Sequence, residues 1–149
     1  MTENTTNTET QDILLRVENL NVYFDLHDQT VHAVRGISFK VARGETLALV
    51  GESGSGKSVT SMSVMRLLDE KMTRYGKDSR ITFEGTSILD ADAKTLRNLR
   101  GGRIAFIFQE PMTSLNPFMR IGRQLMEAAL LHNKDWNRAE ARKRVLELL

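Results

Sequence analysis

Apolar and polar positions alternate through Leu20, Val22 and Phe24, and again through Ile37, Phe39 and Val41. Successive side chains of a strand point to opposite faces, so each segment predicts a strand with one wet face, and a turn over residues 25–30 joins them. Residues 47–50 and 104–108 are instead continuous apolar runs. That is the pattern of parallel strands covered by helices on both faces, and these two are expected to be central. A short alternating segment, Ile81 and Phe83 before Gly85, precedes a helix predicted over residues 91–100 and closed by Gly101 and Gly102. Residues 59–68 contain no Gly or Pro, and Met62, Met65 and Leu68 recur at helical spacing.

Beyond Pro117 the texture is helical, carried by Ile121, Leu125 and residues 128–131. Asn137 followed by Glu140 has the spacing of an N-cap and a back-reaching acid, so a second helix starts there. That helix runs to Leu149 with no Gly, polar stop or basic fringe, which reads as a truncation that leaves its apolar stripe with no partner further along the chain. The order is mixed α/β. The domain reading is a disordered polar tail over residues 1–12, a core over 13–118 and the start of a helical subdomain over 119–149.

The chemistry lies in Gly51, Glu52, Ser53, Gly54, Ser55, Gly56, Lys57 and Ser58, which match G-x-x-x-x-G-K-[ST] directly after an apolar run and before a helix. This is the phosphate-gripping P-loop. Glycines let the backbone curl so that its amides converge on a β-phosphate, and the helix N-terminus adds partial positive charge. Lys57 is expected to reach the β- and γ-phosphates, and Ser58 to give its hydroxyl to Mg²⁺. The bland alternative is a Gly/Ser-rich linker, which the flanking strand and helix patterns disfavour.

In open α/β sheets ligands gather outside the carboxyl ends of strands, and Gln109 follows the second apolar run. Its amide can offer oxygen to Mg²⁺ and NH₂ to a water or phosphate, or it can simply cap the strand. Glu110 and Pro111 stop the run.

The 149 residues carry 21 basic and 19 acidic side chains, a net charge of +2, so charge argues for neither a nucleic-acid surface nor an acidic partner. The absence of cysteine excludes disulfides and thiolate metal sites and fits a reducing compartment. No apolar run approaches the roughly 20 residues of a membrane span, and the N-terminus lacks the basic start of a secretion signal.

Val34-Arg35-Gly36-Ile37-Ser38-Phe39, the stretch from Gly44 to Val59, and Phe108-Gln109-Glu110-Pro111-Met112-Thr113-Ser114-Leu115-Asn116-Pro117 together resemble the ATP-binding subunits of ABC importers. The branch is that of peptide, nickel and glutathione uptake, with the glutathione-import ATPases the nearest likeness. The resemblance implies a P-loop NTPase core with an antiparallel β subdomain and the beginning of an α-helical subdomain, an incomplete ABC ATPase domain. It implies ATP and Mg²⁺ as cofactors, held by residues 51–58 with Val59, and a Q-loop glutamine at Gln109 that senses metal and water. It places an adenine-stacking ring at Phe24, with Tyr23 the runner-up. The implied partners are a second ATP-binding domain and membrane-spanning permease subunits met through the Q-loop region, on the cytoplasmic face of a bacterial membrane without insertion into it.

The resemblance also requires a Leu-Ser-Gly-Gly signature, an apolar strand ending in Asp-Glu, a D-loop and a switch histidine, and none occurs in these 149 residues. Leu67-Leu68-Asp69-Glu70 imitates the apolar strand ending in Asp-Glu. It lies, however, at the far end of the P-loop helix, which places Asp69 roughly 18 Å along the axis from Lys57, too far to reach the γ-phosphate region. His27, His32 and His132 fall in a turn, at a strand start and on a helix, and read as solvated or satisfied side chains. The expected behaviour is MgATP binding with little turnover. The competing readings are another P-loop enzyme, such as a GTPase or small-molecule kinase, and a non-catalytic nucleotide-binding fragment. No Asn-Lys-x-Asp supports the GTPase.

Overall fold

The computed structural model describes residues 12–109, 115–133 and 135–148. The tail expected over residues 1–12 lies outside this range except for Asp12, as do residues 110–114 of the Q-loop resemblance. The chain divides into two compact units, Met1–Leu96 and Arg97–Leu149.

The first unit is organised by a long antiparallel hairpin, β1 (Ile13–Asp25) and β2 (Thr30–Ala42). The alternation predicted this pair, and its buried phase is Val17, Leu20, Val22 and Val34. Asn19 at φ 45° marks an irregularity in the register between Val17 and Leu20, which keeps both of those side chains on the core face. The other edge of β1 is shared. Its first half pairs with β4 (Arg80–Phe83) and its last residues pair with β3 (Thr73–Tyr75). Glu84 and Gly85, both at positive φ, turn β4 into the short β5 (Thr86–Ser87), as a two-residue hairpin loop requires. Ile81, Phe83 and Ile88 complete the core beneath this corner.

Helix α1 (Lys57–Val64) is shorter than the residue pattern predicts. Arg66 takes φ 51°, its amide donates to Ser63 O, and the Leu67 amide donates to Met62 O. This pair of bonds is the Schellman closure that ends helices in the left-handed conformation, here without the usual glycine. The Arg66 guanidinium fixes the turn by donating to Ala91 O at 2.7 Å and pairing with Glu70. Asp69 therefore lies beyond the helix, where it accepts from the Lys71 amide at 2.9 Å, and helical rise does not measure its separation from Lys57.

The two expected central parallel strands do not form. Residues 47–50 and 105–108 adopt no strand, and among the described residues the only ladder contact of either run is an isolated parallel bridge between Arg100 and Ile104. Val50 is 92% exposed and Ile107 91% exposed. A continuous apolar run reports that a strand would be covered on both faces. It does not supply the neighbouring strand whose amides and carbonyls must pair with it, and among the described residues neither run has one.

The second unit holds α3 (Ile121–His132) and α4 (Arg138–Leu148), which pack on each other and bury Ala141 and Val145. The stripe of α4 is thus partly covered, although Leu146 and Leu148 stay exposed. Helix α2 (Ala93–Leu99) occupies the predicted helix, two residues shorter at its start and one at its end, with Asp92 accepting from the Thr95 amide at 2.8 Å.

The start of α4 has the predicted capping box. Asn137 Oδ1 accepts from the amides of Ala139 and Glu140 at 2.9 and 3.0 Å, and the Glu140 carboxylate accepts from the Asn137 amide at 2.9 Å. Asn137→Ala is expected to lower stability by about 1 kcal/mol, and Asn137→Asp by much less, read as the shift in urea unfolding midpoint.

Candidate functional site

Residues 51–58 form a loop that re-enters the fold at the start of α1. Gly54 (φ 78°) and Gly56 (φ 89°) are left-handed, a conformation that their lack of a Cβ permits. Gly56 has a second reason to be glycine: a Cβ there would stand 2.6 Å from the carbonyl oxygen of Ala33 and 3.3 Å from Val34 Cγ2. The loop is therefore seated directly on the β2 backbone. Nothing lies within 4 Å of a Cβ at Gly54.

Helix α1 begins without a side-chain cap, and no acidic residue stands in its first turn. Its first intrahelical acceptor is Gly56 O, reached by the Thr60 amide at 2.8 Å. The amides before Thr60 at the helix start have no intrahelical acceptor and lie at the loop, the donor array that favours an anion. Lys57, the first residue of the helix, folds back over the loop. Its ammonium donates to Gly51 O at 2.8 Å, to Glu52 O at 2.6 Å and to Ser55 Oγ at 3.2 Å. Ser58 is exposed beside it. The structure thus brings the eight P-loop residues together, with a cation at the mouth. The buried strand expected before the loop is missing.

Thr60 and Ser63 fill the inner face of α1, and Ser63 Oγ is satisfied by donating to Val59 O at 2.7 Å. Gln109 is exposed and belongs to the second unit. Among the described residues no group of three or more acidic, His or Cys side chains could hold a metal ion, so any cation here depends on hydroxyl, amide and phosphate oxygens.

The two aromatic candidates at the end of β1 differ in their surroundings. Tyr23 stacks on His32 of β2 with ring centroids 4.2 Å apart, and the Arg74 guanidinium of β3 lies 4.4 Å from its centroid. Arg74 also pairs with Asp25 at 3.1 Å, and Asp25 accepts from the Thr30 hydroxyl at 2.8 Å. His32 Nε2 stands 3.0 Å from Asn21 Oδ1, so this histidine is satisfied within the sheet, as expected. Phe24, half-buried opposite Val31 and Thr73, has no ring contact of this kind. Sequence reasoning missed the cluster around Tyr23. The hairpin register that sets Tyr23 opposite His32 was its available signal.

The family model described as "ABC transporter" matches residues 34–148, most of the chain and all of the loop just described. The chain belongs to the ABC transporter family. It is 45% identical over 139 residues to a dipeptide transport ATP-binding protein of Lactococcus lactis, covering 93% of this chain and 39% of that protein. To an oligopeptide transport ATP-binding protein of Bacillus subtilis it is 46% identical over 136 residues, covering 91% and 37%. The chain spans about two fifths of the length of these relatives. A solved ATP-binding cassette, a dimer in a post-hydrolysis state bound to ADP and Pi, matches with TM-score 0.73 at 21% identity, over 89% of this chain and 54% of the other. That likeness establishes the fold: this is an incomplete ABC ATPase domain, an antiparallel sheet with helices. Among the described residues no helix is long and apolar enough to cross a membrane.

Two outcomes follow. Gly56→Ala combines a positive φ with a backbone collision, whereas Gly54→Ala meets only the φ penalty of about 1–2 kcal/mol. The urea midpoint is expected to fall clearly further for Gly56→Ala. The Arg74 and Thr30 hydrogen bonds hold the Asp25 carboxyl below its ordinary value, a contribution present at neutral pH and lost as pH falls through that lowered pKa. In a carboxyl NMR titration Arg74→Ala should move the Asp25 midpoint up toward the ordinary aspartate value of about 3.9.

Proposed function

We propose that this chain is the N-terminal, ATP-binding part of an importer ATPase that couples ATP binding and hydrolysis to uptake of peptides, a class that includes the tripeptide glutathione. The observation that carries the reading is the loop itself: left-handed Gly54 and Gly56 fold residues 51–58 onto the start of α1, with the Lys57 ammonium across the mouth. The names of the dipeptide and oligopeptide transport relatives support the solute class.

The donor set fits a magnesium-bound triphosphate. Amides at the helix start and residues 51–58 with Val59 would hold the phosphates, Lys57 would donate to the β- and γ-oxygens, and the Ser58 hydroxyl would be a ligand for the metal. Gln109 would add its amide oxygen to that metal. Phe24 stacks on the adenine, a role favoured because the Tyr23 ring is already engaged by His32 and Arg74. When bound, Mg²⁺ would supply charge neutralisation on the phosphates. Lys57 supplies the protein's share, while none of the 149 residues offers the acid that orients the attacking water. Turnover by this chain is therefore slow. In the whole transporter a second ATP-binding domain and the permease subunits complete the motor, with this subunit on the cytoplasmic face of the membrane.

Isothermal titration is expected to give saturable MgATP binding that Lys57→Ala abolishes; unchanged affinity in that variant would refute the site. Phe24→Ala should weaken ATP and GTP alike, because stacking carries no base readout. A preference for GTP over ATP of a hundredfold or more would overturn the stacking role of Phe24.

A further inference from the structure

We infer that Ser55 is the positioning residue of this loop: its hydroxyl braces the Lys57 ammonium, and the glycine at position 51 is required because that hydroxyl lies over it. The inference rests on the nucleotide-binding reading above and concerns how the same loop is held ready.

Ser55 touches both ends of the loop. Its Oγ accepts from Lys57 Nζ at 3.2 Å, and its amide donates to Glu52 O at 3.2 Å. The other two acceptors of Lys57 are the carbonyls of Gly51 and Glu52, so one ammonium and one hydroxyl close the loop across its opening. Gly51 is the one P-loop glycine whose identity backbone conformation does not explain, since positive φ occurs at Gly54 and Gly56 and not at Gly51. The obstacle at Gly51 is a side chain. A Cβ there would stand 2.7 Å from Ser55 Oγ but 3.4 Å from Ser55 Cβ, an ordinary contact. Only the hydroxyl is in the way. A methyl at position 51 must turn that hydroxyl aside, and turning it breaks the bond to Lys57.

Gly51→Ala and Ser55→Ala should therefore damage the same interaction. A hydrogen bond to a charged group that preorganises a binding cation corresponds to a loss of roughly three- to tenfold in MgATP affinity for either variant. The double variant should lose no more than the worse single one, because the second change finds the bond already gone. Ser55→Thr, which keeps a hydroxyl, should recover most of the affinity. The ¹⁵N resonance of the Lys57 ammonium should shift alike in Gly51→Ala and Ser55→Ala and stay near its original place in Ser55→Thr, a change that a merely structural defect would not produce.

The experiment measures MgATP affinity and the Lys57 resonance across this cycle in the 149-residue chain, with Lys57→Ala alongside. Losses that multiply in the double variant would overturn the inference, as would native affinity in Ser55→Ala. If Ser55→Ala binds normally while Lys57→Ala does not bind, the nucleotide site stands and the brace falls. If Lys57→Ala also binds normally, the nucleotide reading itself fails.

Discussion

The site depends on one backbone approach, Gly56 set against the carbonyl of Ala33. Because glycine lacks a Cβ, α1 can begin in van der Waals contact with β2, and a methyl there would stand 2.6 Å from the Ala33 oxygen. The hairpin fixes Ala33, since Val34 is buried in register opposite Val22. The position of the phosphate loop is thus inherited from an antiparallel sheet that takes no part in the chemistry. Thr60 and Ser63 line the inner face of α1, small enough to let the helix lie close, with the Ser63 hydroxyl satisfied inside the helix.

Features governed by near neighbours in the chain were legible in the sequence. The P-loop, the hairpin of β1 and β2, and the capping box of Asn137 and Glu140 each require only a period or a fixed offset of a few residues. What stayed hidden was fixed by distant residues. The early end of α1 has no glycine or asparagine to announce it; Arg66 holds its left-handed turn by reaching the carbonyl of Ala91, far along the chain. Likewise, the different surroundings of Tyr23 and Phe24 come from residues brought by β2 and β3, while alternation alone places both rings at the same strand end.

The apolar runs at residues 47–50 and 104–108 teach a different lesson. Their composition is that of buried parallel strands, and the solved cassette confirms the class of fold to which they belong. A strand, however, is a relation between two segments. Composition states the environment a segment is suited to, while hydrogen bonding decides whether it becomes a strand, and here the two disagree. Leu47, Leu49, Val50, Ile107 and Phe108 remain open to solvent, so the apolar surface that would drive sheet formation is present and unspent.

That the phosphate loop keeps its curled form while the strand before it does not separates two contributions usually treated as one. Burial of a central strand anchors the loop from its N-terminal side. From the other side the anchors are the Gly56 seat on β2, the first turns of α1, and the Lys57 ammonium reaching back to Gly51 and Glu52. Every contact of the second set lies within the unit that contains the hairpin. The order of dependence therefore runs from hairpin to helix to loop, and the lysine that would meet a phosphate also supplies, before any phosphate arrives, the positive charge against which the loop's carbonyls are arranged.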